Sequence, residues 1–325
     1  MRFDVFGMCN ALFDIQAEVT DRDLDELGFP KGGMSLIDQH QHEALLPRLA
    51  GHIVNHEAGG SGANTMIGVA MLGGRTCFTS RVADDEYGLL YRASLQEKQV
   101  QANLGHGSGH TGVSVILITP DKQRTMCTHL GVSRDLTRAE VNIDDLAASR
   151  YLYVTGYLWD TFSQKEAVTH AMSSANRLGV QVAMSLSDPF CVNRHLEDFK
   201  NLIVKHVDVV MGNSDEAMAL TGCADPEDAA LALASVCKIA VVTMDSRGSL
   251  VATGGTLHRV PVWPAALVDT TGAGDMFAAG MLYGLTQDLA PERAGRIGAE
   301  TAARVVSKLG PRLDTLDRAS LESLR

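Results

Sequence analysis

Short apolar runs rich in β-branched residues alternate along the chain with longer segments whose apolar positions recur at helical spacing. Residues 3–8, 76–82, 151–155, 181–186, 207–211 and 239–244 read as strands, and residues 164–178 and 195–205 as helices. This alternation predicts βαβ units and a mostly parallel sheet covered by helices, an α/β fold. Ile239-Ala240-Val241-Val242 is apolar without a break, as a strand buried on both faces requires.

Two regions depart from the alternation and read as strand followed by strand: 14–19 with 34–38, and 111–119 with 124–130. The turn Thr119-Pro120-Asp121-Lys122-Gln123 between the last two has hairpin chemistry, Pro fixing φ and Asp able to bond its own backbone. The two regions form either ordinary edge hairpins or one small β-sheet, a lid beside the α/β core. The second reading makes residues 1–325 a single domain, with a lid contributed by insertions at about 14–38 and 100–131. Repeats, charge blocks and Pro/Ser linkers are absent from the sequence.

Charge narrows the function. With 28 Lys+Arg against 39 Asp+Glu the net charge is −11, which argues against a nucleic-acid partner because duplex affinity rests on basic residues. A small phosphorylated ligand stays open, since backbone N–H groups can hold it. The 31 glycines suggest places where backbone turns sharply or meets a ligand closely. Six scattered cysteines without a Cys-x-x-Cys pair, a start that lacks an apolar signal core, and no run of membrane-spanning length predict a cytoplasmic chain without a membrane partner. Oligomeric state, monomer or homodimer, is left open.

Familiar motifs fail. Gly-Lys never occurs, which excludes a Walker-type P-loop, and Gly7-Met8-Cys9-Asn10-Ala11 has too few glycines for a dinucleotide fingerprint. His42-Glu43 and His56-Glu57 lack the second zincin histidine, and His106 and His110 sit among loop residues.

One motif succeeds. In Asp269-Thr270-Thr271-Gly272-Ala273-Gly274-Asp275 a polar turn enters a glycine-rich bend, and a helical pattern of small and apolar residues follows. Gly272, Ala273 and Gly274 place backbone N–H groups at a helix N-terminus, where unpaired donors and the macrodipole suit an anion. Asp275 in the first turn then either complements the dipole or receives a proton from a hydroxyl attacking a bound phosphoryl group.

This motif resembles the C-terminal signature of the ribokinase-like (PfkB) carbohydrate and nucleoside kinases. Gly59-Gly60-Ser61-Gly62-Ala63-Asn64-Thr65 with Leu72-Gly73-Gly74 is similar to the N-terminal signature, and Asn213-Ser214-Asp215-Glu216 to the Asn-x-x-Glu element. The three fall in family order across roughly residues 3–312. The resemblance implies a three-layer sandwich with a small β-sheet lid, and ATP and Mg²⁺ as cofactors. Asp275 becomes the general base and Gly272, Ala273 and Gly274 the anion hole. Asn10, Asp14, Gly60 and Asn64 are expected on the acceptor. Asn213 and Glu216 are expected around the triphosphate, Glu216 reaching Mg²⁺ through water, with Thr243 and Gly248 near the nucleotide. Asp269 and Thr271 match positions that bind a monovalent cation, K⁺ for instance, in some relatives.

Asn10-Ala11-Leu12-Phe13-Asp14, the stretch 27–38, the lid segment 124–131 and Ser187-Asp188-Pro189-Phe190 look more like the adenosine-kinase branch than like ribokinase. That implies transfer to the 5′-hydroxyl of an adenosine-like nucleoside; the alternatives are a kinase of ribose, fructose or a related ketose, and a sensor that binds without turnover. Arg124 is expected either to close over the phosphates or to be a solvated hairpin charge. Leu12, Phe13, Met34, Leu36, Leu117 and Met126 form either a slot for a base or the lid's own core. Two departures from the family stand out. Met244-Asp245 replaces a common glycine after Thr243, which bears on the phosphate donor, and Gly310-Pro311-Arg312 alters the neighbourhood of the cation site.

Overall fold

The structure is a computed structural model, and it describes residues 1–121 and 123–313. The first half runs β1 (Phe3–Met8), β2 (Leu12–Glu18), α1 (Asp21–Leu27), β3 (Met34–Leu36), α2 (Gln39–Arg48), β4 (Ile53–Ala58), α3 (Ser61–Leu72), β5 (Thr76–Ala83), α4 (Glu86–Glu97), β6 (Gln101–Gly107), β7 (Gly112–Ile118) and β8 (Arg124–His129). There follow α5 (Ile143–Ala147), β9 (Ser149–Thr155), α6 (Phe162–Leu178), β10 (Gln181–Ser185), α7 (Pro189–Arg194), α8 (Leu196–His206), β11 (Val209–Asn213) and α9 (Ser214–Thr221). The chain closes with α10 (Pro226–Ala234), β12 (Ile239–Thr243), β13 (Ser249–Thr253), β14 (Thr256–Val260), α11 (Ala273–Thr286) and α12 (Pro291–Val306).

Nine strands form one sheet in the order β14-β13-β12-β11-β10-β9-β1-β5-β6, parallel from β12 to β6, with β13 and β14 antiparallel at one edge. Side-chain alternation sends successive residues into two separate cores. Val241 joins the core shared with α3 and α11, while Ala240 and Val242 join the one beneath α6 to α10. Helices therefore cover both faces, which is the expected three-layer α/β sandwich. Among the described residues no helix is long and apolar enough to cross a membrane, and the six cysteines are free.

Five strands form the small sheet, in the order β3-β8-β7-β2-β4. It is assembled from separate pieces of chain, but the pieces differ from the expectation. β6, inside the span 100–131, pairs with β5 in the large sheet. β4, outside both spans, pairs with β2; its polar sequence Val54-Asn55-His56 is exposed along an edge and carries no alternation to read. Between β2 and β3 the chain forms α1, closed by a Thr20/Asp23 capping box and by Gly28 at φ 77°. The turn after β7 includes Lys122, which lies outside the described residues, as do residues 314–325 of the expected domain.

Period-two alternation gives the small sheet two unlike faces. Phe13, Ile15, Ala17, Val113, Val115, Leu117 and Cys127 pack into the core with α1, α2 and α4. Asp14, Gln16, Glu57, Ser114, Arg124, Met126 and Met34 share the opposite face by register. That face carries the polar groups the site uses.

Candidate active site

α3 and α11 are small-residue helices packed so closely that a Cβ at Gly68 would lie 2.6 Å from the Ala279 Cβ. Their contact brings both N-termini together. Asp275, in the first turn of α11, accepts from Ser61 Oγ at 2.5 Å on Oδ1 and from Asn64 Nδ2 at 3.0 Å on Oδ2. Asn64 Oδ1 in turn accepts from Arg312 Nε at 2.7 Å. Burial raises the Asp275 pKa, while the two hydrogen bonds and the Arg312 charge pull it down.

Gly272 caps α11 at φ 75°, and a Cβ there would stand 2.4 Å from the Pro311 carbonyl oxygen, so the turn admits only glycine. The first bond onto the helix ladder runs from Met276 N–H to the Gly272 carbonyl at 2.8 Å. The amides of Gly274 and Asp275 precede it, and a Cβ at Gly274 would meet nothing within 4 Å, so that stretch of backbone borders open space. The expected trio needs one correction. The Ala273 N–H donates to the Thr270 carbonyl at 3.2 Å and is spent on the turn.

Asp14, on β2, is 6% exposed, and no hydrogen bond reaches its carboxylate from the described residues. Burial pushes its pKa up to about 8; Arg312 opposes the shift, and Glu57 and Asp275 add to it. A Cβ at Gly59 would fall 2.0 Å from Asp14 Oδ2, and Gly60 holds φ 87° with its Cβ position 2.7 Å from the Asn10 carbonyl. Backbone thus fits against the carboxylate because residue 59 is glycine, and against the Asn10 carbonyl because residue 60 is.

Asn10 is held by the protein. Its carboxamide accepts from Gln164 Nε2 at 2.6 Å and Ser133 Oγ at 3.2 Å, and donates to the Tyr157 carbonyl at 3.3 Å. These contacts fix the loop between β1 and β2 and leave one Nδ2 hydrogen without a partner among the described residues. Arg124 is not the solvated hairpin charge of the second alternative: it is largely buried and ion-pairs with Asp269.

At the carboxyl edge of the large sheet, Asn213 ends β11 directly beside Thr243 at the end of β12. Asn213 and Glu216 form a reciprocal capping box, with Asn213 Nδ2 donating to Glu216 Oε1 at 2.7 Å and the Glu216 N–H to Asn213 Oδ1 at 2.9 Å. Burial pushes the Glu216 pKa up to about 7, opposed by the Asn213 backbone and aided by Asp188 and Asp215. Gly248 has φ 85°, with a Cβ position 2.3 Å from the Val260 carbonyl. Asp245, exposed on the turn before it, has φ 48°.

The apolar candidates divide. Phe13 and Leu117 belong to the core face and are withdrawn from the slot. Leu12, Met34 and Met126 are only partly buried, Leu36 is exposed, and all four lie on the face that carries Asp14.

Four residues had no role in the sequence reading. Ser61 touches Asp275, Glu57 pairs across strands with Asp14, Arg312 holds Asn64, and Asp188 has a buried Oδ2 without a partner. Ser61 stood inside the quoted glycine motif and was legible there. Arg312 comes 248 positions after Asn64, and no local pattern announces that contact.

The family model for pfkB family carbohydrate kinases matches residues 39–318. The chain belongs to the PfkB family. It is a phosphotransferase with an alcohol group as acceptor. This PfkB chain is 27% identical over 265 residues to a fructokinase of Klebsiella pneumoniae, covering 79% of itself and 86% of the relative. It is 30% identical over 277 residues to a 5-dehydro-2-deoxygluconokinase of Lacticaseibacillus casei, covering 79% and 84%. The crystal structure of adenosine kinase from Sinorhizobium meliloti superposes with a TM-score of 0.94 at 37% identity, covering all of both chains.

Proposed function

We propose that this PfkB kinase transfers the γ-phosphoryl group of ATP to the 5′-hydroxyl of a nucleoside resembling adenosine, with Asp275 as general base. The observation that carries the reading is the half-buried Asp275 carboxylate, fixed by Ser61 and Asn64 beside the free amides that open α11. Asp275 takes the proton of the attacking hydroxyl, and the amides of Gly272 and Gly274 meet the charge on the transferring group. Asp14, bare and buried, accepts hydrogen bonds from the acceptor's other hydroxyls, with Gly59 giving it room.

The nucleotide reading rests on the carboxyl edge of the sheet, where Asn213, Thr243 and Gly248 lie together. Among the described residues no group of three or more metal-ligating side chains occurs. That agrees with Mg²⁺, which is commonly held by substrate phosphates, waters and one or two carboxylates. Glu216 and the orphaned Asp188 Oδ2 fit it, because a divalent cation relieves the repulsion that helps raise the Glu216 pKa. When bound, Mg²⁺ neutralises charge that develops on the phosphates.

The acceptor class rests on the small sheet. One face presents a carboxylate for hydroxyls together with the partly exposed Leu12 on the same strand and Met34, Leu36 and Met126 on β3 and β8. A ribose joined to a flat apolar base matches both halves, whereas a free ketose uses only the first. The 37% identity to the S. meliloti adenosine kinase supports the same reading. ADP release measured against adenosine, other nucleosides, ribose, fructose and a sugar acid tests it. Adenosine is expected to give the highest kcat/KM, and a higher value for fructose or ribose would replace the nucleoside reading with the ketose one.

A further inference from the structure

Asp269 and Thr271 are the residues at which some relatives hold a monovalent cation, and the structure allows a test of whether they fit one here. A cation needs oxygen lone pairs. Asp269 has none to spare: Oδ1 accepts from the Thr271 N–H at 2.9 Å and from Thr271 Oγ1 at 2.8 Å. Oδ2 accepts from the Gly310 N–H at 2.8 Å and from Arg124 Nη2. Four donors occupy the roughly four acceptor positions of a carboxylate. The Asp269 side chain is 2% exposed and that of Arg124 14%.

The charge balance points the same way. A carboxylate so deeply buried requires a positive partner. Arg124 supplies one unit of charge from β8, the amount a potassium ion would bring. A guanidinium is planar, weakly hydrated and permanently charged, which suits it to that burial. A second cation beside it would meet like charge, and a carboxylate whose oxygens already accept from four donors.

We infer that the Arg124 guanidinium takes the place of a monovalent cation at Asp269, so that this kinase needs no potassium ion. Asp269 joins three segments: the turn that leads into Gly272, the Gly310 backbone, and β8 of the small sheet. In relatives that bind a cation, a free ion brings the charge; here it is carried on the sheet that holds Asp14. Arg124 is accordingly a positioning residue. It holds the turn beneath the α11 amides and ties that turn to the acceptor-binding sheet. Its effect on turnover rests on reading residues 272–275 as the phosphoryl site, whereas its effect on stability does not.

The test uses the purified full chain, with ADP release and thermal unfolding measured in choline chloride and in potassium chloride at equal ionic strength. The wild type is expected to give the same turnover and the same Tm in both salts. A potassium-selective rise in either overturns the inference. Arg124→Ala bares the carboxylate, and turnover in choline chloride is expected to fall about 10–100-fold. Potassium or guanidinium chloride, unlike choline, then raises both Tm and turnover. No loss, or a loss that neither ion repairs, also overturns it. Arg124→Lys retains a charge and is expected to fall between the two while staying blind to potassium. If Arg124→Ala does not fold, the wild type and Arg124→Lys decide, a potassium-selective gain in either counting against the inference. Should no acceptor be turned over at all, the Tm comparisons still stand.

Discussion

Two carboxylates at the junction of the sheets are held in opposite ways. Asp275, on the first turn of α11, arrives hydrogen-bonded on both oxygens. Asp14, on the small sheet, arrives with none, and its pKa is pushed up to about 8. The contrast separates two tasks. A base must be aimed before the acceptor comes, so neighbouring helices supply its partners; a binding group must keep its lone pairs for the ligand, and the fold bears the cost of leaving it bare.

Removing the aimed carboxylate is expected to have the largest effect. Asp275→Asn keeps the shape and the Ser61 contact but not the base, and kcat should drop at least about 10²–10⁴-fold. Acceptor affinity by calorimetry should change little; near-normal turnover would break the assignment. Asp14→Asn should act the other way round, raising acceptor KM by about 10–100-fold as hydrogen bonds to the acceptor hydroxyls are lost, with a smaller change in kcat. A change confined to kcat would remove Asp14 from the acceptor site.

The same substitution sharpens the comparison through stability. A buried Asp whose folded pKa is about 8, against about 3.9 unfolded, stabilises the fold most when protonated. That contribution is complete below about pH 4 and is lost as pH rises toward 8. Wild-type Tm should therefore decline across that window, and Asp14→Asn should flatten the decline, gaining most at the alkaline end. Parallel Tm curves for the two proteins would contradict the raised pKa.

The smallest expected effect is on the pH profile. Ser61, Asn64 and Arg312 all hold the Asp275 pKa down against burial. Ser61→Ala or Arg312→Met should therefore move the acid limb of kcat/KM to higher pH, with activity recovering at alkaline pH. A profile lowered uniformly at every pH would mean that these residues only hold structure.

The alternation of apolar runs and helical segments was enough to read the layered α/β fold, because strands buried on both faces and their covering helices are written in local periodicity. The glycine-rich turn before Asp275 was equally legible, since a helix N-terminus without side chains has little use other than holding an anion. α1 was also within reach: Thr20, Asp23 and Gly28 mark both of its ends. β4 was not, because a polar edge strand shares its composition with a loop. Nor could sequence divide Phe13 and Leu117 from Met34 and Met126, since the facing of a strand depends on its register with neighbours from distant parts of the chain.

The sequence by itself thus determined the layers and marked the glycine-rich turn with Asp275 that we propose as phosphoryl site and base, each carried by residues adjacent along the chain. The tertiary structure alone decided that Arg124 meets Asp269 across 145 positions and that Arg312 meets Asn64 across 248. Both contacts pair a buried charge with a partner from another segment. Which partner it finds is decided by packing and by the need to compensate a desolvated charge, and neither is written in local spacing.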